Sequence, residues 1–77
     1  MRQPHYIGLE EAREVLAQMG VELTTRQMKR AADLNPAGRR KLPFFVDPVE
    51  GTLKIEKETL RNVYIRKQVE AEQKFTP

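Results

Sequence analysis

The sequence predicts a small α+β domain, mostly α, in the order helix, tight turn, helix, β-hairpin, helix. Three observations predict it. Apolar residues recur at helical spacing in three segments, and the first two segments are separated only by a short turn led by Gly20. Two short aromatic and β-branched runs, joined by the turn residues Asp47-Pro48-Val49-Glu50-Gly51, lie before the third segment. The charge is uneven: residues 24–41 hold Arg26, Lys29, Arg30, Arg39, Arg40 and Lys41 against Asp33 alone. That window carries +5, residues 1–23 carry −2 and residues 42–77 are neutral, within a net charge of +3.

The first helix runs from about Leu9 to Met19. Leu9, Ala12, Val15, Leu16 and Met19 make one apolar stripe, with Glu11, Glu14 and Gln18 on the opposite face. Glu10 and Glu11 fall in the first turn, where negative charge suits the helix dipole. Gly20 tolerates the left-handed backbone that ends a helix, and Val21-Glu22-Leu23 turns the chain. The second helix starts near Thr24, because Thr24 and Gln27 have the spacing of a capping box. Its inner face is Met28, Ala31 and Ala32. Arg26 and Arg30 project almost directly away from them, with Lys29 nearby. Asn35-Pro36 is expected to end this helix, since the residue before proline avoids helical angles.

Leu42-Pro43-Phe44-Phe45-Val46 reads as a strand, and Pro43 confines it to a sheet edge. Phe44 and Phe45 point to opposite faces, so one is buried and the other partly exposed. Thr52 to Ile55 is the return strand. The last helix spans about Glu56 to Gln73, with Leu60, Val63, Tyr64 and Ala71 as its buried stripe and the Lys67 stem between them. Ile65 and Val69 lie on a different face, where they dock on the hairpin, join a protein partner or a second subunit, or stay exposed. The helix extends about two turns past the core, too short for a coiled coil. The tail from Lys74 to Pro77 is expected to fray.

Seventy-seven residues make one domain over 1–77, with a core at about 6–67 and a helical extension and frayed tail over 68–77. There is no cysteine, hence no disulfide and no thiolate metal site. No apolar run approaches the roughly 20 residues that span a bilayer, and the N-terminus lacks the apolar core of a secretory signal. A cytoplasmic protein is expected. His5 is the only histidine and has no second ligand at metal spacing, so no metal is expected. With no Gly-rich phosphate loop, no Cys nucleophile and no acid paired with His5, neither an enzyme nor a cofactor is expected.

The order of elements is that of a compact winged helix-turn-helix, and short motifs resemble one group of such domains. Tyr6-Ile7-Gly8-Leu9-Glu10-Glu11-Ala12 resembles the "Tyr-Leu-Thr-x-Glu-Glu-Ala" opening of the excisionase-like and MerR-like small DNA-binding domains. Gly20-Val21 resembles their "Gly-Val-Ser" turn, and Lys41-Leu42-Pro43-Phe44 their "Lys-Leu-Pro" step into the wing. Lys54-Ile55-Glu56-Lys57-Glu58-Thr59-Leu60 resembles the "Arg-Ile-Pro-Arg-Glu-x-Leu" lead into the third helix. The likeness covers about residues 6–67. It implies a winged helix-turn-helix that binds double-stranded DNA in regulation or recombination on a phage, plasmid or other mobile element. The chain departs from the pattern by inserting Glu22-Leu23 in the turn and by placing Asp47 and Glu50 at the wing tip, where families of this kind often carry cations.

The second helix of such a unit enters the major groove. Arg26, Gln27, Lys29 and Arg30 are therefore candidate base contacts, arginine pairing with guanine and glutamine with adenine. The alternative is an ordinary solvated helix face. Thr24 and Thr25 are candidate phosphate contacts, with plain capping as the alternative for Thr24. Arg39, Arg40 and Lys41 are candidate phosphate contacts that position without reading sequence. Lys54, Lys57, Arg61, Arg66 and Lys67 alternate with acids and read as a mixed surface. A competing function is a protein-interaction module, or an accessory subunit of a phage or plasmid machine, on the same fold.

Overall fold

Three helices and a three-stranded antiparallel sheet share one apolar core in the computed structural model, which describes residues 3–74. The order is β1 (Tyr6–Ile7), α1 (Leu9–Gln18), α2 (Thr25–Ala32), β2 (Phe45–Val46), β3 (Leu53–Glu56) and α3 (Lys57–Lys74). The expected small, mostly helical α+β architecture is present, and β3 lies between β1 and β2 in the sheet.

α1 buries Ala12, Val15 and Leu16, the centre of its expected stripe. It ends in a Schellman motif: the Val21 N–H donates to the Leu16 carbonyl at 2.8 Å and the Gly20 N–H to the Ala17 carbonyl at 3.0 Å. Gly20 has φ +91°, which a residue with a Cβ adopts only with strain. This stop folds Val21 back onto the core and leaves a short path to α2. The capping box at α2 is complete. The Gln27 N–H donates to Thr24 Oγ1 at 3.1 Å, and the Thr24 N–H donates to Gln27 Oε1 at 2.9 Å. Met28 and Ala32 are fully buried, and Ala31 is half-buried.

The end of α2 corrects the sequence reading. The helix stops at Ala32, and Asp33 is already extended, so Asn35-Pro36 is not the immediate terminator. In a longer helix the Ala32 carbonyl would accept from residue 36, which is proline and has no N–H. That carbonyl instead accepts from Arg40 Nε at 2.7 Å, and the Ala31 carbonyl accepts from the Leu42 N–H at 3.1 Å. Asn35 organises the loop: its Oδ1 accepts from the N–H groups of Ala37 (2.9 Å) and Arg39 (3.0 Å).

The hairpin is present but shorter than expected. β2 pairs with β3 as Phe45↔Lys54 and Val46↔Leu53. Leu42 and Phe44 are buried in the core instead of extending the ladder, and the Phe44 N–H turns back to the Leu42 carbonyl at 2.7 Å. Such a three-residue turn is common at strand ends. β2 is an edge strand, as Pro43 required. Phe44 is 4% exposed and Phe45 40%, so the pair divides between inside and outside as their alternation demanded.

Two features escaped the sequence reading. β1 is a strand of two residues, with Tyr6↔Glu56 and Ile7↔Ile55, too short for alternation to register. Ile7 and Ile55 are both buried there. α3 buries only Leu60 and half-buries Val63 and Tyr64; every residue from Ile65 to Lys74 is exposed. Ala71 and Lys67 are therefore not part of a buried stripe. The periodicity exists, but none of the other described elements covers that stretch. Ten residues of helix rise about 15 Å, closer to three turns than two. Lys74 closes the helix, and the expected fraying of Phe75–Pro77 lies outside the described residues.

Candidate nucleic-acid interface

The apolar face of α2 fixes the direction of its cations. Met28 and Ala32 point inward, so Arg26 and Arg30, half a turn away, point out, with Lys29 beside them; all three are exposed. The loop from residue 35 to 42 is drawn back onto the last turn of α2 by the bonds of Arg40 to Ala32 and of Leu42 to Ala31. Gly38, at φ +76°, makes the reversal that sends the chain back. Arg39 and Lys41 thus flank the anchor that meets the end of α2, and both are exposed. Cations separated by up to fifteen positions in sequence are gathered at one helix and its return loop.

None of Arg26, Lys29, Arg30, Arg39, Arg40 and Lys41 is in a salt bridge with a carboxylate of the described residues. Outside this window four of the seven described cations are paired, while Lys57, Arg66 and Lys74 are not. Arg13 pairs with Glu10 at 3.1 Å, Lys54 with Glu50 at 3.0 Å, Arg61 with Glu58 at 3.6 Å and Lys67 with Glu70 at 3.5 Å. The largest group of cations without a carboxylate partner is therefore on α2 and its loop.

The other candidates have local duties. Thr24 and Gln27 hold the capping box, so the Gln27 carbonyl oxygen is engaged and its amide NH2 remains as donor. The Thr25 hydroxyl donates to Glu10 Oε1 at 3.5 Å, and the same oxygen takes Arg13 Nε at 3.2 Å. Arg13 also reaches the Leu23 carbonyl at 3.4 Å, so this cluster braces α1 against the turn. Arg40 is half-buried and spends its Nε on the α2 terminus, where positive charge also suits the dipole.

At the hairpin tip the acids are bonded within the hairpin itself. Asp47 Oδ1 accepts from the N–H groups of Val49 (2.8 Å) and Glu50 (3.3 Å). Those two bonds, the Val49 one foremost, hold its carboxyl below the usual range. Hydrogen bonding to Glu50 raises the Lys54 ammonium. At the start of α3 the Glu56 carboxylate takes the capping role. Oε1 accepts from the Thr59 N–H (3.0 Å) and hydroxyl (3.1 Å), and Oε2 from the His5 N–H (3.2 Å). Backbone N–H groups of Glu58 and His5 lower its pKa. The sequence reading missed this junction, for which the Glu56–Thr59 spacing was the available signal.

On the outer sheet face Tyr6 and Phe45 meet edge to face, ring centroids 5.6 Å apart. Phe45 thus packs on β1. Among the described residues no group of three or more His, Asp or Glu side chains is placed to hold a metal ion. No described helix is long and apolar enough to cross a membrane. The chain matches no family model, no curated protein and no solved structure.

Proposed function

We propose that this chain is a sequence-specific double-stranded DNA-binding protein of winged helix-turn-helix type, cytoplasmic, without catalytic activity or cofactor. In this reading α1, the Gly20 turn and α2 form the helix-turn-helix, and α2 enters the major groove. Arg26 and Arg30 read base edges, Lys29, Arg39 and Lys41 hold phosphates, and Arg40 fixes the loop that presents them. The hairpin is the wing, and its internally bonded Asp47 and Glu50 leave phosphate contact to the loop. The role is that of an architectural or regulatory factor of a phage, plasmid or other mobile element, as the excisionase-like motifs imply. The observation that carries the reading is the set of cations on α2 and its loop that have no carboxylate partner.

A selection from random duplexes, followed by fluorescence anisotropy at two salt concentrations, tests it. The expected result is an enriched short motif and a log–log salt slope of about −0.9 per phosphate contact. Arg26→Ala/Arg30→Ala should lose about 2–6 kcal/mol of specific binding, taking about 1–3 per bidentate pair. Sequence-blind, salt-insensitive or absent binding refutes the reading.

The exposed Tyr6–Phe45 pair favours a second reading, a protein-interaction module on the same scaffold. Under it, charge reversal at Arg26 and Arg30 leaves partner capture intact and Phe45→Ser abolishes it.

A further inference from the structure

Resting on the DNA-binding reading above, we propose that α2 is a reader of guanine. It selects two guanines about two base steps apart on one strand, and Gln27 reads no adenine. The reason lies in the capping box. A glutamine that pairs with adenine offers its carbonyl oxygen to the N6 amino group and its own NH2 to N7. Gln27 has its Oε1 drawn back to the Thr24 N–H at 2.9 Å, while its backbone N–H donates to Thr24 Oγ1 at 3.1 Å. The side chain therefore folds toward the start of the helix, and the oxygen that would meet adenine closes the box instead. Turning it to a base would take the acceptor away from the Thr24 N–H, which the box exists to satisfy.

What remains on the exposed side of α2 is a set of donors. Arg26 and Arg30 are exposed, neither is paired with a carboxylate of the described residues, and arginine has no acceptor. Gln27 contributes its NH2. The Thr25 hydroxyl donates to Glu10 Oε1 at 3.5 Å, and that oxygen also pairs with Arg13, so both acceptors are tied to α1. Asp33 follows the last turn as the C-cap, whereas the N-terminal residues of a recognition helix meet base edges. A face of donors fits an edge of acceptors. Guanine offers O6 and N7 together. Adenine sets a donor beside its N7, cytosine offers a donor alone, and thymine has a single acceptor beside a methyl group. Four residues of helix rise about 6 Å, close to two steps of about 3.4 Å along a strand, and this sets the spacing of the two guanines.

Fluorescence anisotropy of the full chain, with duplexes drawn from a random selection, tests the proposal. The expected motif holds two guanines about two steps apart on one strand. Replacing either with adenine, or with 7-deazaguanine, which lacks the N7 acceptor, should weaken binding about ten-fold or more. Arg26→Ala and Arg30→Ala should each erase the preference at one of the two positions. Gln27→Glu keeps an oxygen for the Thr24 N–H, so the box and the circular-dichroism spectrum should stand. It should retain both guanine preferences while binding all duplexes more weakly through its added negative charge. A motif with an adenine whose replacement costs about ten-fold, a penalty that Gln27→Ala abolishes, overturns the inference and leaves the DNA-binding reading intact. Guanine preferences that survive the loss of both arginines do the same. Binding that is absent or blind to sequence overturns both.

Discussion

The window from residue 24 to 41 and the stretch from 42 to 74 carry the same number of Lys and Arg residues, six each, yet half of those in the second are paired and none in the first. In the second stretch acids lie within three or four positions, and Lys54, Arg61 and Lys67 pair with them. In the first, one acid serves six cations and the structure pairs none of them. Local sequence spacing largely decides this, because i,i+3 and i,i+4 neighbours meet on a helix regardless of tertiary context. The difference separates charge that solubilises from charge that remains available to a polyanion.

The comparison is most sharply tested by separating fold from charge. Leu60→Ala removes the one fully buried side chain of α3 and should cost about 2–5 kcal/mol of stability, read from the urea midpoint. Arg26→Ala/Arg30→Ala should leave that midpoint within about 0.5 kcal/mol; a larger loss would mean that these arginines hold the fold. Arg40 is the intermediate case. Arg40→Ala strips a charge-assisted bond from the Ala32 carbonyl and should cost about 1–2 kcal/mol. Arg39→Ala, at an exposed neighbour, should cost almost nothing, and equal effects at the two sites would refute the anchor role.

Acid should act on the second stretch through two carboxylates. Asp47 and Glu56 have folded pKa values below their unfolded ones. Each therefore contributes stability that is present above the unfolded value, near pH 4, and lost as pH falls through the folded value. Urea midpoints from pH 7 downward should stay flat to about pH 5 and then decline. Asp47→Asn and Glu56→Gln should be less stable at pH 7 and shallower in acid. The smallest effect belongs to Lys67→Ala, which breaks an exposed pair worth about 0–0.5 kcal/mol. It should leave the salt slope of DNA binding untouched, whereas loss of Lys29 should reduce the slope by about one contact.

Much of the site was legible because it depends on short-range rules. The Thr24–Gln27 box, the Gly20 stop and the outward direction of Arg26 and Arg30 follow from spacing within a single turn or helix. The two roles hidden in the candidate set were not legible. Arg40 and Arg39 are adjacent and chemically identical, yet one anchors α2 and the other faces solvent. Thr25 looks free until α1 brings Glu10 to it. In each case the partner comes from another turn of chain, and no local pattern announces it.

The sequence by itself determined the three helices, the hairpin, the inward stripe of α1 and α2 and the asymmetry of charge, since periodicity, capping chemistry and composition act over a few residues. Tertiary structure alone decided that Tyr6-Ile7 becomes a strand, that Leu42 and Phe44 leave the ladder for the core, and that α3 outruns its burial at Tyr64. A two-residue strand exists only because β3 offers it hydrogen bonds and Ile55 offers Ile7 a buried face. An apolar stripe is buried only as far as another element reaches, and that reach depends on the whole chain.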